Sequence, residues 1–205
     1  MLKNKPIKPY NTGKINIIYG FHAVKAALLN NQREHHELLI SENNNKIANN
    51  YRSKIKKITV LNQKDFKKLY GSEKSTQGIV LKTKDFERPS LEQFLKNENF
   101  NNRSVVVALD QITDPQNIGS IMRSCALFNC KGILIAKDNS PDLTPSLYKA
   151  ASGAAEIVNY FRVTNLKRSI SNLKKNGYWV YGFDSASSQK NSNINYSKKS
   201  ILVFG

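Results

Sequence analysis

The stretch VVVALDQITDPQNIGSIMRSC, Val105–Cys125, decides how the chain is read. Val105 to Leu109 is a continuous apolar run, as carried by a parallel strand buried on both faces. A polar loop follows, and then a helix expected from Asn117 to about Asn129. In that helix Ile118, Ile121, Met122, Cys125 and Phe128 recur at i, i+3, i+4, i+7 and i+10, one apolar stripe expected to pack on the sheet. At about 100° per residue, Arg123 points away from the stripe, and Gly119, four residues earlier, is expected beside it on the outer face. Asp114 and Asn117 stand at the helix start, where Asn is expected to cap the free N–H groups. Two readings fit. A bare backbone at Gly119 with a guanidinium one turn later can receive a bulky polar ligand, and helix N-termini favour phosphate-like groups. Equally, the stretch can be an ordinary cap, a tolerated glycine and a solvated arginine. An interior helical glycine costs about 1 kcal/mol relative to alanine, which weighs towards a purpose.

Strands and helices alternate on the C-terminal side. GILIA (Gly132–Ala136), VNYFRV (Val158–Val163), YWVYGFD (Tyr178–Asp184) and ILVFG (Ile201–Gly205) read as strands. DLTPSLYKAASGAA (Asp142–Ala155) reads as a helix in which Ser152 and Gly153 allow close packing, and NLKRSISNLKKNG as another, with Gly177 as its stop. This alternation implies an α/β fold with a parallel sheet covered on both faces. Ligands then sit beyond the C-terminal strand ends, at Gln111–Asn117, Lys137–Pro141, Phe183–Ser188 and after Gly205.

Towards the N-terminus, short strands at Ile15–Gly20, Glu37–Ser41, Ile58–Asn62 and Thr76–Thr83 alternate with helical spacings, a small α/β domain. The expected organisation is a basic arm at residues 1–14, a first domain at 15–83, a linker at 84–102 and a second domain at 103–205.

Lys and Arg number 32 against 15 Asp and Glu, a net charge of +17. Such a chain is drawn to polyanions, RNA or DNA first. The Asn-, Lys- and Ile-rich composition also suits AT-rich coding, so part of the lysine excess can be compositional. The basic segments Tyr51–Lys57 and Asn165–Lys175 can hold RNA backbone or be solvated faces. No apolar run reaches the roughly 18–20 residues of a membrane span, so no membrane partner is expected. The basic N-terminus lacks a secretory apolar region, which gives a cytoplasmic expectation. Cys125 and Cys130 suit neither a disulfide nor a zinc site and are expected as buried free thiols. His22, His35 and His36 have no catalytic partner at telling spacing. No metal site, phosphate-cradling P-loop or G-x-G-x-x-G is found.

Asn117–Arg123, N-I-G-S-I-M-R, has the pattern Asn-x-Gly-x-x-x-Arg, and Asp110–Pro115 before it reads D-x-x-x-D-P. Together they resemble the first motif of the SpoU-type RNA ribose 2′-O-methyltransferases of the knotted SPOUT superfamily. YGFHAVKAAL resembles the entry to that family's N-terminal RNA-binding domain and TQGIVL its last strand. KDNSPDLTPSLYKAASGAAE resembles the segment after motif one. The resemblance runs in order over most of residues 15–205 and is nearest in layout to members that methylate a guanosine of large-subunit ribosomal RNA.

The resemblance implies a small α/β RNA-binding domain followed by a parallel-sheet SPOUT-type methyltransferase domain. It implies S-adenosylmethionine as methyl donor and RNA as partner, ribosomal RNA before transfer RNA. It also implies a homodimer formed through the methyltransferase domains. By motif match, Asn117 and Arg123 are the catalytic candidates, Gly119 and Arg123 the RNA contacts, and Phe183, Asp184 and Gly205 the cofactor contacts. The family pattern continues past the strand matching ILVFG into a Gly-Glu-Gly second motif and a third motif that threads the knot. Residue 205 is the first glycine of that second motif. The expectation is therefore a domain lacking its knot segment, with an incomplete cofactor pocket. The alternative is a catalytically inactive RNA-binding remnant.

Overall fold

In the computed structural model, residues 15–71, 73–97, 103–138, 140–184 and 194–205 are described. The expected basic arm (residues 1–14), Ser185–Ser188 of one expected loop and residues 98–102 of the expected linker lie outside them. The chain divides into two units, Met1–Glu87 and Arg88–Gly205.

The first unit carries β1 (Ile15–Tyr19), α1 (Phe21–Leu29), β2 (His35–Ser41), α2 (Asn45–Ala48), β3 (Ile58–Leu61), α3 (Gln63–Tyr70), α4 (Glu73–Thr76) and β4 (Ile79–Lys84). The sheet order is β1-β4-β2-β3. β4 is antiparallel to β1 and β2, and β2 is parallel to β3. Gly20, at φ 91°, takes the chain from β1 into α1. The Gln77 side chain accepts a hydrogen bond from the Phe21 N–H at 2.8 Å and so closes the start of that helix. The strand expected from Thr76 begins at Ile79. Thr76 ends a short helix, and Gln77 and Gly78 are left-handed, at φ 57° and 65°, a conformation that a strand cannot contain.

One face of this sheet packs Leu39 and Val80 on Phe66 of α3. Further along that face Glu37 binds Lys82 at 2.9 Å and Lys57 at 3.0 Å, and accepts from the Thr59 hydroxyl at 2.9 Å. Burial opposes ionisation of Glu37, but these hydrogen bonds outweigh it and hold its carboxyl down at about 2.

The second unit carries α5 (Leu91–Asn97), β5 (Ser104–Leu109), α6 (Pro115–Leu127), β6 (Gly132–Ala136), α7 (Pro145–Ala151), β7 (Asn159–Val163), α8 (Leu166–Lys175), β8 (Trp179–Phe183) and β9 (Lys199–Phe204). Its sheet is parallel throughout, in the order β7-β6-β5-β9-β8. Leu91 and Leu95 of α5 and Leu173 of α8 fill one face with Val106, Ala108, Leu134 and Ile201. The stretch expected as a linker thus contains a helix whose apolar i, i+4 pair belongs to this core. α6 lies over the opposite face. α7 ends at Ala151 rather than continuing, because Ser152 and Gly153 are both left-handed, at φ 49° and 96°.

From β5 the chain winds outward to β6 and β7, then crosses to the far edge and returns through β8 to β9. The strand order therefore reverses between β5 and β9. In open α/β sheets the crevice at such a reversal is where ligands bind.

Candidate active site

The reversal point is tight. The Asp110 N–H donates to the Phe204 carbonyl at 2.8 Å. A β-carbon on Gly205 would stand 3.2 Å from the Asp110 carbonyl oxygen and 3.3 Å from its β-carbon. Any larger residue at position 205 would require Asp110 to give way. Gln111 follows at φ 55°, a left-handed conformation uncommon for a residue with a side chain.

Helix α6 starts earlier than expected. Asp114, not Asn117, is the cap: its carboxylate accepts from the Gln116 N–H at 3.0 Å, and Pro115 occupies the first helical position. Asn117 is left in the first turn, exposed, its amide making no hydrogen bond among the described residues. Arg123, six residues on, is exposed and has no partner among the described residues.

Gly119 does not share that open face. It is buried, and a β-carbon there would lie 2.4 Å from the Ala150 β-carbon and 2.9 Å from the Ala150 and Ala151 backbone. The glycine lets α6 and α7 touch backbone to backbone. The expectation of Gly119 as an RNA contact is corrected: helix α7 occupies the space in which a ligand would approach it.

The apolar stripe also differs at its end. Ile118, Met122 and Cys125 are buried, but Leu127 and Phe128 are 79% and 74% exposed. With Ile121 and Cys125, Phe128 borders a largely apolar cavity of about 680 Å³ whose floor includes Val107, Leu202 and Phe204. The Phe204 ring stacks on Phe183 with centroids 4.6 Å apart and planes 10° from parallel. Asp184 lies at the end of β8, exposed. The three expected cofactor contacts thus sit at adjacent strand ends: Phe183 as the last residue of β8, Asp184 just after it and Gly205 just after β9.

Cys125 is buried, whereas Cys130 is half-buried, not fully enclosed as expected. The Cys125 thiol hydrogen-bonds to Cys130 and, with help from the Lys131 charge, lowers the Cys130 thiol to about 7 against the effect of burial. The same contact, with burial, pushes Cys125 upward.

Sequence reasoning missed Arg162, which braces the loop beyond β6. Its guanidinium pairs with Asp142 at 3.1 Å and reaches the carbonyls of Lys137 and Ser140 at 3.4 Å. Beside it the Tyr160 hydroxyl donates to the Pro141 carbonyl at 2.9 Å, and burial pushes its phenol up to about 12. The signal was a lone cation in the strand NYFRV. Among the described residues no group of three or more His, Cys, Asp or Glu could hold a metal ion, and no helix is long and apolar enough to cross a membrane.

Residues 104–205 match the SpoU rRNA Methylase family, and residues 17–89 match the family described as RNA 2′-O ribose methyltransferase substrate binding. This chain belongs to the SpoU family of RNA methyltransferases. It is 32% identical over 195 residues to a Staphylococcus aureus protein named for the TrmH family of tRNA/rRNA methyltransferases, covering 92% of this chain and 77% of the relative. It is 31% identical over 177 residues to the Coxiella burnetii 23S rRNA (guanosine-2′-O-)-methyltransferase RlmB, covering 82% of this chain and 69% of that one. Solved structures share the fold. The SpoU methyltransferase AviRb of Streptomyces viridochromogenes superposes with a TM-score of 0.72 at 15% identity, covering 92% of this chain and 71% of its own. An AdoMet-bound rRNA methyltransferase of Sinorhizobium meliloti does so with a TM-score of 0.70 at 20% identity, covering 93% and 70%. The SpoU match spans the parallel sheet, α6 and the strand-reversal crevice, so the geometry above is that of the methylase region.

Proposed function

We propose that this SpoU-family chain methylates the 2′-hydroxyl of a ribose in RNA, ribosomal RNA before transfer RNA, with S-adenosylmethionine as donor. The observation that carries the reading is Arg123, an exposed guanidinium without a partner among the described residues, on a helix whose inner faces are fixed by packing. The similarity to a guanosine-2′-O-methyltransferase supports the choice of a ribose hydroxyl.

The residues at the ends of β8 and β9 suit an adenosine-bearing ligand. The Phe183–Phe204 stack offers aromatic surface, and Gly205 leaves backbone uncovered where Asp110 already fills the space behind it. Phe183, Asp184 and Gly205 are the proposed cofactor contacts. Bound S-adenosylmethionine supplies an electrophilic methyl group. The chain's part is positioning and charge. A guanidinium carries five N–H donors and no acceptor, so Arg123 acts as a hydrogen-bond donor and not as a base. It grips the target nucleotide and stabilises the oxyanion that develops on the ribose. Asn117 orients the nucleotide through its free amide. A homodimer is proposed on the family resemblance, with the exposed Leu127 and Phe128 at the end of α6 giving it apolar surface.

Incubation with methyl-labelled S-adenosylmethionine and, in parallel, ribosomal and transfer RNA tests the reading. Label retained in alkali-resistant dinucleotides of ribosomal RNA is expected. Label on a base contradicts the ribose assignment, and label confined to transfer RNA contradicts the ribosomal one.

A further inference from the structure

Helix α8 buries one side and offers the other to solvent. Leu166, Ile170 and Leu173 pack on the sheet. Lys167, Arg168, Ser171, Lys174 and Lys175 are exposed, at i, i+1, i+4, i+7 and i+8, a single stripe of the helix surface. The Ser171 hydroxyl is turned inward onto the Lys167 carbonyl at 3.0 Å, so four cations dominate the stripe. Lys167 and Lys174 are seven residues apart, as are Arg168 and Lys175, which spaces each pair about 10 Å along the axis.

These charges are uncompensated. None of the four pairs with an acid among the described residues. The sequence holds no carboxylate between Glu156 and Asp184. The first unit differs: there Lys57 and Lys82 are neutralised by Glu37, and Lys84 by Glu34 at 2.6 Å. A merely solvated basic helix explains only half of the stripe. Lys174 and Lys175 suit the negative end of the helix dipole. Lys167 and Arg168 stand in the first turn, where the dipole is positive and disfavours a cation. The first turn holds no acidic residue to offset them. Only the Asn165 side chain, accepting from the Arg168 N–H at 2.8 Å, caps it.

α8 follows β7 in a parallel sheet, so its first turn lies at the strand-end edge that also holds the β5 loop and Gly205. A polyanion along α8 is led to that edge.

We propose that the outer face of α8 is a contact surface for the phosphate backbone of the substrate RNA, read by charge and not by base. This rests on the RNA methyltransferase reading above. Its test is binding of a large-subunit ribosomal RNA fragment to the full chain over a range of salt concentrations. The wild type is compared with K167Q/R168Q, K174Q/K175Q and the quadruple variant. Each phosphate contact contributes about 0.7 to the salt slope for single strands and about 0.9 for duplex. The quadruple variant should flatten the slope by about 3 and weaken binding at moderate salt by roughly ten-fold or more, each double variant by part of that. All four side chains are exposed, and circular dichroism should show an unchanged fold. A wild-type chain that binds RNA while the quadruple variant binds with the same slope overturns the α8 surface alone. A wild-type chain that binds no RNA overturns both it and the reading on which it rests.

Discussion

Gly119 and Ala150 hold α6 and α7 in backbone contact: a β-carbon on the glycine would stand 2.4 Å from that of the alanine. The glycine of the Asn-x-Gly-x-x-x-Arg motif is therefore a packing residue, and the arginine four positions later is left to face solvent. Gly119→Ala gains about 1 kcal/mol of helix propensity. It loses more by forcing two backbones apart, since overpacking costs typically 1–3 kcal/mol and occasionally more. Thermal unfolding should show a lower midpoint. Ala150→Gly in the same chain should restore part of the loss, because one of the close contacts is to the alanine β-carbon and the others are to backbone. A midpoint at or above that of the wild type would contradict the packing role.

The two thiols should differ in reactivity. Cys130, lowered to about 7 by the Cys125 thiol and Lys131, should alkylate with iodoacetamide at a rate that rises through neutral pH. Cys125, buried and pushed upward, should resist. Cys125→Ala removes the hydrogen bond and should move the Cys130 profile back towards that of an ordinary thiol. An unchanged profile would contradict the pairing.

Glu37 gives the first unit a pH signature. Its folded carboxyl titrates at about 2 against an ordinary value near 4.5, so its contribution is present in full above 4.5. It is lost as pH falls from there towards 2. The wild type should unfold at a higher temperature than Glu37→Gln at neutral pH, and the gap should close across that window. A gap that holds constant down to pH 2.5 would contradict the Lys82–Glu37–Lys57 arrangement.

If the exposed end of α6 is an association surface, light scattering should give twice the mass of one chain. L127E/F128E should give one chain mass with an unchanged circular dichroism spectrum, since both residues are exposed in the single chain. A wild-type monomer would contradict the homodimer.

The second unit was largely legible in the sequence, and the reasons are physical. Strands β5 and β6 are buried on both faces and read as unbroken apolar runs. The start of α6 is ambiguous in the sequence because Asn117 and Asp114 are both good caps, and only the backbone shows that Pro115 already sits in the first turn. Helical periodicity puts Gly119 on an open face because it describes one helix against one surface. It cannot show that α7 covers a second side. Phe128 continues the apolar period but falls at the cap of α6, where the helix no longer holds it on the sheet. Helix α5 was hidden in a polar, Asn-rich stretch whose apolar signal is mainly the pair Leu91 and Leu95. The role of Arg162 is not legible in the sequence because it depends on a loop reached only through the fold.

In the proposed reaction Arg123 serves chemistry and not structure. Nucleoside mass spectrometry of large-subunit ribosomal RNA, after incubation with S-adenosylmethionine and either the wild type or Arg123→Ala, separates the two roles. A 2′-O-methylated nucleoside is expected from the wild type and about a hundred-fold less of it from the variant, the order of effect of removing one oxyanion-stabilising donor. The unfolding midpoint should be unchanged, because an exposed side chain without partners contributes within about 0.5 kcal/mol. Equal methylation by both proteins, or none by the wild type, would contradict it.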